Sequence, residues 1–178
     1  MQPVERVRNA CARWGEAVVA SDCAALLRSG TVLDGRLLDL AMALGELTDR
    51  DWFEAGKPPG HAYWARVWAA RALLYVWNDE AAPAVVTALA DEQWRVREMA
   101  AKVAARREIG TAADRLAGLS TDPVPRVRAA AACGLAEVGE AEHADVLHRL
   151  AEDPDPLVAR TAGAALGRLS RRLDRDLD

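Results

Sequence analysis

Apolar side chains recur along this chain at spacings of three and four residues, which gathers them on one side of a helix. Val4, Val7, Cys11, Trp14 and Val18 form the first such stripe and predict a helix from Val4 to about Arg28, stopped by Ser29-Gly30. Asp34 is placed to cap a second helix that runs to about Leu47, with Leu37, Leu38, Leu40, Ala41 and Leu44 on its apolar side. Thr48 to His61 contains Lys57-Pro58-Pro59-Gly60 and reads as the longest loop, with Trp52 and Phe53 tucked against neighbouring helices. Tyr63 to Trp77 predicts a third helix, the most aromatic stretch of the chain. Ala82 to Ala90 predicts a short one with Pro83 in its first turn. Helices follow over Gln93 to Glu108, Thr111 to Leu119, Pro125 to Val138 and Ala141 to Ala151. A last one begins near Asp155 and passes into a charged tail. No stretch alternates apolar and polar positions as a half-buried strand does, so the chain reads as all-α.

The second half of the pattern repeats. Asp91, Asp122 and Asp153 open three similar segments 31 residues apart. In each, the aspartate precedes a valine and then an alanine-rich helix, and Asp122-Pro123 reads as a helix start with the aspartate as its cap. The buried stripes are Val96, Ala100, Val103 and Ala104, then Val127, Ala131, Gly134, Leu135 and Val138, then Val158, Ala162, Ala165, Leu166 and Leu169. Alanine and glycine at these positions suit helices stacked near the lower limit of interaxial distance. A fixed period of this length is the mark of stacked repeats, each of which needs its neighbours to close a core.

Composition narrows the function classes. The chain has 23 basic and 27 acidic residues, a formal net charge of −4, and neither half is basic. Such a balance does not favour non-specific nucleic-acid binding. Cys11, Cys23 and Cys133 are odd in number and without motif spacing, which points to a reducing cytoplasm rather than a disulfide framework. The N-terminus lacks the apolar core of a signal peptide, and no uncharged run approaches a membrane span.

The repeated segments resemble HEAT repeats, in particular the short PBS-lyase HEAT-like repeats of bacteria. The residues that carry the resemblance are Asp122-Pro123, Val127-Arg128 and Gly134-Leu135, with Asp91 and Val96-Arg97 upstream. Downstream they are Asp153-Pro154, Val158 and Ala165-Leu166-Gly167. It implies an α-solenoid of stacked antiparallel helix pairs, a HEAT-like superhelix with an N-terminal helical cap. Residues 1–56 would be the capping pair. Residues 57–178 would hold the repeats, about 60–90 in degenerate form, then 91–121, 122–152 and 153–178. The resemblance also implies a ladder in which the arginine after each valine pairs with an aspartate of the adjacent repeat. It assigns Asp91, Arg97, Asp122, Arg128 and Asp153 to that structural role. Ala159 stands where the next arginine belongs, so the ladder ends or shifts there.

Candidate chemistry is sparse. His61, His143 and His148 read as surface histidines, the last two not sharing the i, i+4 face of a helical metal pair. The cysteines lie in apolar stripes and read as small buried hydrophobes. No phosphate loop, Cys-x-x-Cys or nucleophile elbow is present, so no catalytic residue, metal or cofactor is assigned. Two groups remain for binding. Arg66, Arg95 and Arg126 precede the motif valines and would line the concave side, where they either grip carboxylates or phosphates or simply solvate helix starts, their charges answered by Glu92, Glu98 and other acids. Trp64, Trp68 and Trp94, with Trp52 and Trp77, either form a stacking pocket or fill the joint before the regular repeats. The leading expectation is a non-catalytic repeat scaffold that binds a protein partner through the concave face of the long helices. The alternative, by resemblance to HEAT-like DNA glycosylases, is action on alkylated bases, with nucleic acid as the partner. A chromophore lyase or its assembly partner is a third reading by fold analogy.

Overall fold

The computed structural model describes residues 1–29, 33, 35–49, 53 and 62–177. Among them are ten α-helices and no strand: α1 (Pro3–Trp14), α2 (Glu16–Arg28), α3 (Gly35–Gly45), α4 (Tyr63–Ala72), α5 (Ala82–Ala88), α6 (Trp94–Arg106), α7 (Ala113–Gly118), α8 (Pro125–Val138), α9 (Ala144–Ala151) and α10 (Pro156–Leu173). The chain forms two compact units, Met1–Ala88 and Leu89–Asp178. The expected cap at Asp34, the Lys57-Pro58-Pro59-Gly60 stretch, Trp52 and His61 lie outside the described residues.

In the first unit α2 is the hub, packed against α1, α3, α4 and α5. Val19, Ala20, Cys23 and Leu26 give it a fully buried side. The expected single helix from Val4 to Arg28 is two. Gly15 adopts φ 89°, in the left-handed half of backbone space, and separates α1 from α2. The turn of the chain there breaks the predicted stripe: Val7 is buried, but Val4 and Val18 stay exposed. The third helix is also shorter than its pattern. After Ala72, the Leu74 and Tyr75 N–H groups reach back only three residues, to Arg71 and Ala72, the tightened end common at helix C-termini.

The second unit is built from three long helices, α6, α8 and α10, lying side by side, with α7 packed on α8 and α9 packed on α10 and α8. All three predicted stripes are buried, and Val96, Ala100, Val103, Val127, Ala131, Val158 and Ala162 have no exposure at all. Each short helix is entered through a 3-10 turn, Gly110–Ala112 before α7 and Ala141–His143 before α9. His143 differs from its expected surface position. It is buried, its Nδ1 accepts the Glu140 N–H at 2.9 Å, and its Nε2 lies 3.4 Å from Asp114.

Arginine and aspartate tie the long helices together at fixed points. Arg97 of α6 donates from Nε and Nη2 to both carboxylate oxygens of Asp122, at 2.7 and 3.1 Å. Arg128 of α8 does the same to Asp153, at 2.7 and 2.8 Å. Nη1 of each arginine turns back to its own repeat and donates to the carbonyl of Asp91 or Asp122, both at 2.8 Å. The aspartates do not cap the helices, as their position beside proline predicts. Val124 is the N-cap of α8 and Pro125 its first residue. Asp122 instead accepts the Val124 N–H, closing the turn that leads into the helix, and Asp91 and Asp153 do the same to Gln93 and Asp155. Side-chain capping of a long helix passes to Asp155, which accepts from Leu157 and Val158 at the start of α10.

Removing one partner of such a pair leaves a desolvated charge behind. Arg128→Ala should therefore lower the unfolding free energy by about 3 kcal/mol in urea titrations at neutral pH. Arg149→Ala, on the exposed side of α9, should change it by no more than about 0.5 kcal/mol. The Arg128 hydrogen bonds hold the Asp153 carboxyl below its ordinary value of 3.8. A depressed folded-state value means that this stabilisation is present above pH 3.8 and is lost as pH falls through the native value. The stability gap between wild type and Asp153→Asn should thus close on acidification below about pH 4. In the first unit, burial beside Asp22 pushes the Cys23 thiol far up. A thiol reagent should label half-buried Cys11 and Cys133 first, and Cys23 only once the unit is unfolded.

Candidate functional site

The 31-residue register sets equivalent positions of α6, α8 and α10 beside one another. On the side of α8 left uncovered by α7 and α9, those positions differ sharply in size. The middle helix carries Ala129, Ala130 and Cys133, where α6 carries Glu98, Met99 and Lys102. A trough of about 440 Å³ results. Its floor is the small side chains of α8, one wall is Glu98 and Lys102, and the other is Leu157 and Thr161 of α10. Leu157 is 44% exposed, unusual for a leucine on a helix whose other face is fully buried.

One end of the trough is a charge cluster. The Glu98 side chain is only 8% exposed, and a single oxygen, Oε1, accepts from Lys102 Nζ at 2.7 Å and from Arg126 Nε and Nη2 at 3.2 and 3.0 Å. A buried carboxylate needs such partners. The cations themselves remain accessible, Lys102 at 44% and Arg126 at 62% of their side chains. Trp94 closes this end: the Arg95 guanidinium lies 4.3 Å from its ring and that of Arg126 5.6 Å, both within cation–π range. Lys102 and Arg126 against Glu98 leave one net positive charge next to the apolar floor. Among the described residues no three His, Cys, Asp or Glu side chains gather as metal ligands would.

The residues singled out in the sequence fall into both units. Trp94, Arg95 and Arg126 meet at the cluster just described. Trp64, Trp68 and Arg66 belong to the first unit, and Arg66 is buried there. Trp64 stacks on Trp68 at 6.1 Å and on Tyr63 at 5.3 Å, and Trp68 meets the edge of Phe53 at 6.2 Å. Trp68 also lies so close to α3 that a Cβ on Gly45 would come within 2.3 Å of its ring, so this indole fills a packing joint. Glu98 was expected only as an acid answering the motif arginines, as it does for Arg126, and the small floor of α8 and Leu157 were not singled out. Their signal lies in comparing equivalent positions across repeats: Arg95 and Arg126 give way to Leu157, and Glu98 to Ala129.

A family model described as HEAT repeats matches residues 61–132 and 112–178. This chain belongs to the HEAT-repeat family. The Arg–Asp pairs and buried valines described above lie within the matched residues. Among solved structures, the HEAT-repeat chain is similar to one titled as the complex of CpcE and CpcF of phycocyanin lyase from Nostoc sp. PCC7120. That match has a TM-score of 0.56 at 21% identity and covers 96% of this chain. The chain spans 66% of the length of that lyase chain. It is also similar to an engineered protein, with a TM-score of 0.52 at 16% identity, covering 97% of this chain and 98% of that one. A comparison with curated proteins returns no match. No described helix is long and apolar enough to cross a membrane.

The cluster has an asymmetry that can be measured. Without Glu98, its two accessible cations are free to hydrate, so Glu98→Ala should cost only about 1 kcal/mol in chemical denaturation. Lys102→Ala with Arg126→Ala strands a buried carboxylate and should cost about 3 kcal/mol.

Proposed function

We propose that this chain is a HEAT-repeat scaffold that binds a protein partner through the exposed face of α6, α8 and α10. The observation that carries the reading is the trough over α8, whose apolar floor is flanked by accessible arginine, lysine and an exposed leucine. An apolar centre with a charged rim is the anatomy of a protein–protein contact. Arginine and tryptophan are the side chains that carry most binding energy in such contacts. The solved structure of two phycocyanin-lyase chains in complex supports the reading, since a chain of similar fold there assembles with another protein. The reading assigns no catalytic step and no cofactor to the trough.

The test is capture of native partners on the purified chain, read by mass spectrometry. Leu157→Glu with Thr161→Glu alters the α10 wall without touching the Glu98 cluster. It should reduce recovery of the specific partner at least tenfold, while Arg149→Glu on α9 leaves recovery unchanged. Equal recovery by the wall variant and wild type would remove this face from consideration.

A further inference from the structure

Resting on that reading, we infer that the occupant of the trough is an amphipathic α-helix of the partner that presents apolar side chains to Ala129, Ala130 and Cys133 and a carboxylate to Lys102 and Arg126. Three observations converge on it.

The first is shape. Neighbouring packed helices lie about 8–10 Å apart, so α6 and α10, each beside α8, stand about twice that distance from one another. A helix with its side chains is about 10–12 Å across, too wide to sink between those walls once their own side chains are counted, so it would lie over the recessed α8 and reach the floor with its side chains. The floor that it would meet is made of alanine and cysteine, so its own larger side chains can descend into the 440 Å³ available.

The second is backbone chemistry. The trough is walled by helices, whose main-chain N–H and C=O groups are already bonded within each helix. An extended peptide laid there would find no ladder partners for its own backbone. A helix brings its backbone already satisfied, which is the logic of helix-in-groove recognition.

The third is charge. The Leu89–Asp178 unit is net acidic, yet the stripe facing the trough is not. Beyond Lys102 and Arg126, helical spacing puts Arg95 and Arg106 of α6 and Arg168 of α10 on the same sides, with Arg168 paired to Glu137 of α8. The acids lie elsewhere: Asp122 and Asp153 in the ladder, and Asp114, Asp145 and Glu152 exposed on α7, on α9 and just after α9. This field favours an acidic partner. The apolar floor and the buried Glu98 carboxylate favour a peptide over a polyphosphate backbone, which needs cations and no apolar bed.

The probe is a display library of helix-prone peptides about 18 residues long, enough to sustain a helix in isolation. It is selected on the full-length chain. Enriched peptides should carry apolar side chains at i, i+3 or i+4 with Asp or Glu one turn away, and their binding should weaken as salt rises. Leu157→Glu should weaken them at least tenfold. In a double-mutant cycle, Arg126→Gln, which leaves Lys102 on Glu98, should cost an acidic peptide about tenfold and its Glu→Gln version almost nothing. Circular dichroism checks that each variant is folded. Selected peptides without an acidic bias, or acidic ones indifferent to Leu157→Glu and Arg126→Gln, would overturn the inference. So would displacement of the peptide by a duplex oligonucleotide, or a concentration-dependent dimer that buries the trough. If native partner capture still depends on Leu157 and Thr161 in that event, the face is the binding surface and only its occupant was misidentified. If it does not, both readings fall.

Discussion

The bidentate grip of each arginine on the aspartate of the following repeat is the constraint on which the second unit depends. Apolar contact between alanine-rich helices is favourable but carries little positional information, because one small side chain serves nearly as well as the next. A guanidinium is a planar fork with donors at fixed angles. Arg97 and Arg128 each fix two distances to the next repeat, and at least one to their own: Arg97 Nη1 reaches the carbonyls of Asp91 and Glu92, Arg128 Nη1 that of Asp122. The aspartate at the far end is itself locked, since it closes the turn that starts its helix. Each rung therefore joins the register of one helix to the entry geometry of the next. A buried pair of this kind adds little net stability over an apolar one, and its best-attested use is specificity.

That register has consequences on the opposite side of the same helices. Once residues 31 apart are held beside one another, any difference in their sizes becomes relief on the surface. Nine residues of α8 are buried, and most are alanine or valine. Small residues on its packed side let α6 and α10 approach. Small residues on its open side leave α8 recessed between them. The trough follows from a change of side-chain volume between repeats at constant backbone geometry.

The repeat and its three buried stripes were legible in the sequence, because each depends on residue type at a regular interval. A ladder among Asp91, Arg97, Asp122, Arg128 and Asp153 came only from the resemblance, and which aspartate each arginine meets came from the structure. What was not legible depends on events that periodicity averages over. The stripe from Val4 to Val18 continues across Gly15 in one dimension, but a single positive φ turns the chain and leaves both end valines in water. Asp122 looks like a cap because aspartate and proline both favour helix starts. The helix begins two residues later, and the carboxylate is taken by an arginine 25 residues upstream. The burial of Glu98 was hidden for a related reason. An acid near the motif arginines reads as part of a solvated helix start, and its burial becomes visible only when Arg126 arrives from the neighbouring helix. His143 likewise owes its burial to a turn geometry, the Glu140 N–H folding back onto its ring.

Net charge averaged over the whole chain says nothing of how the charges are distributed over the fold. A balance of −4 argues against an anionic partner only if the charges are mixed. In the second unit they are sorted by the fold itself. The ladder withdraws Asp122 and Asp153 into pairs, where their charge is cancelled by arginines at a few ångströms. The remaining acids crowd the loops and short helices, whose starts favour negative charge through the exposed N–H groups there. Two of the long helices, α6 and α8, start with Trp-Arg and Pro-Arg, which puts Arg95 and Arg126 on their open sides, whereas α10 starts with Pro156-Leu157. Sorting of this kind is set by which helix ends face which way, and a repeat imposes that on every unit at once. Recognition at the open side of the long helices, where Lys102 and Arg126 stay accessible, is governed by the local field rather than by the total.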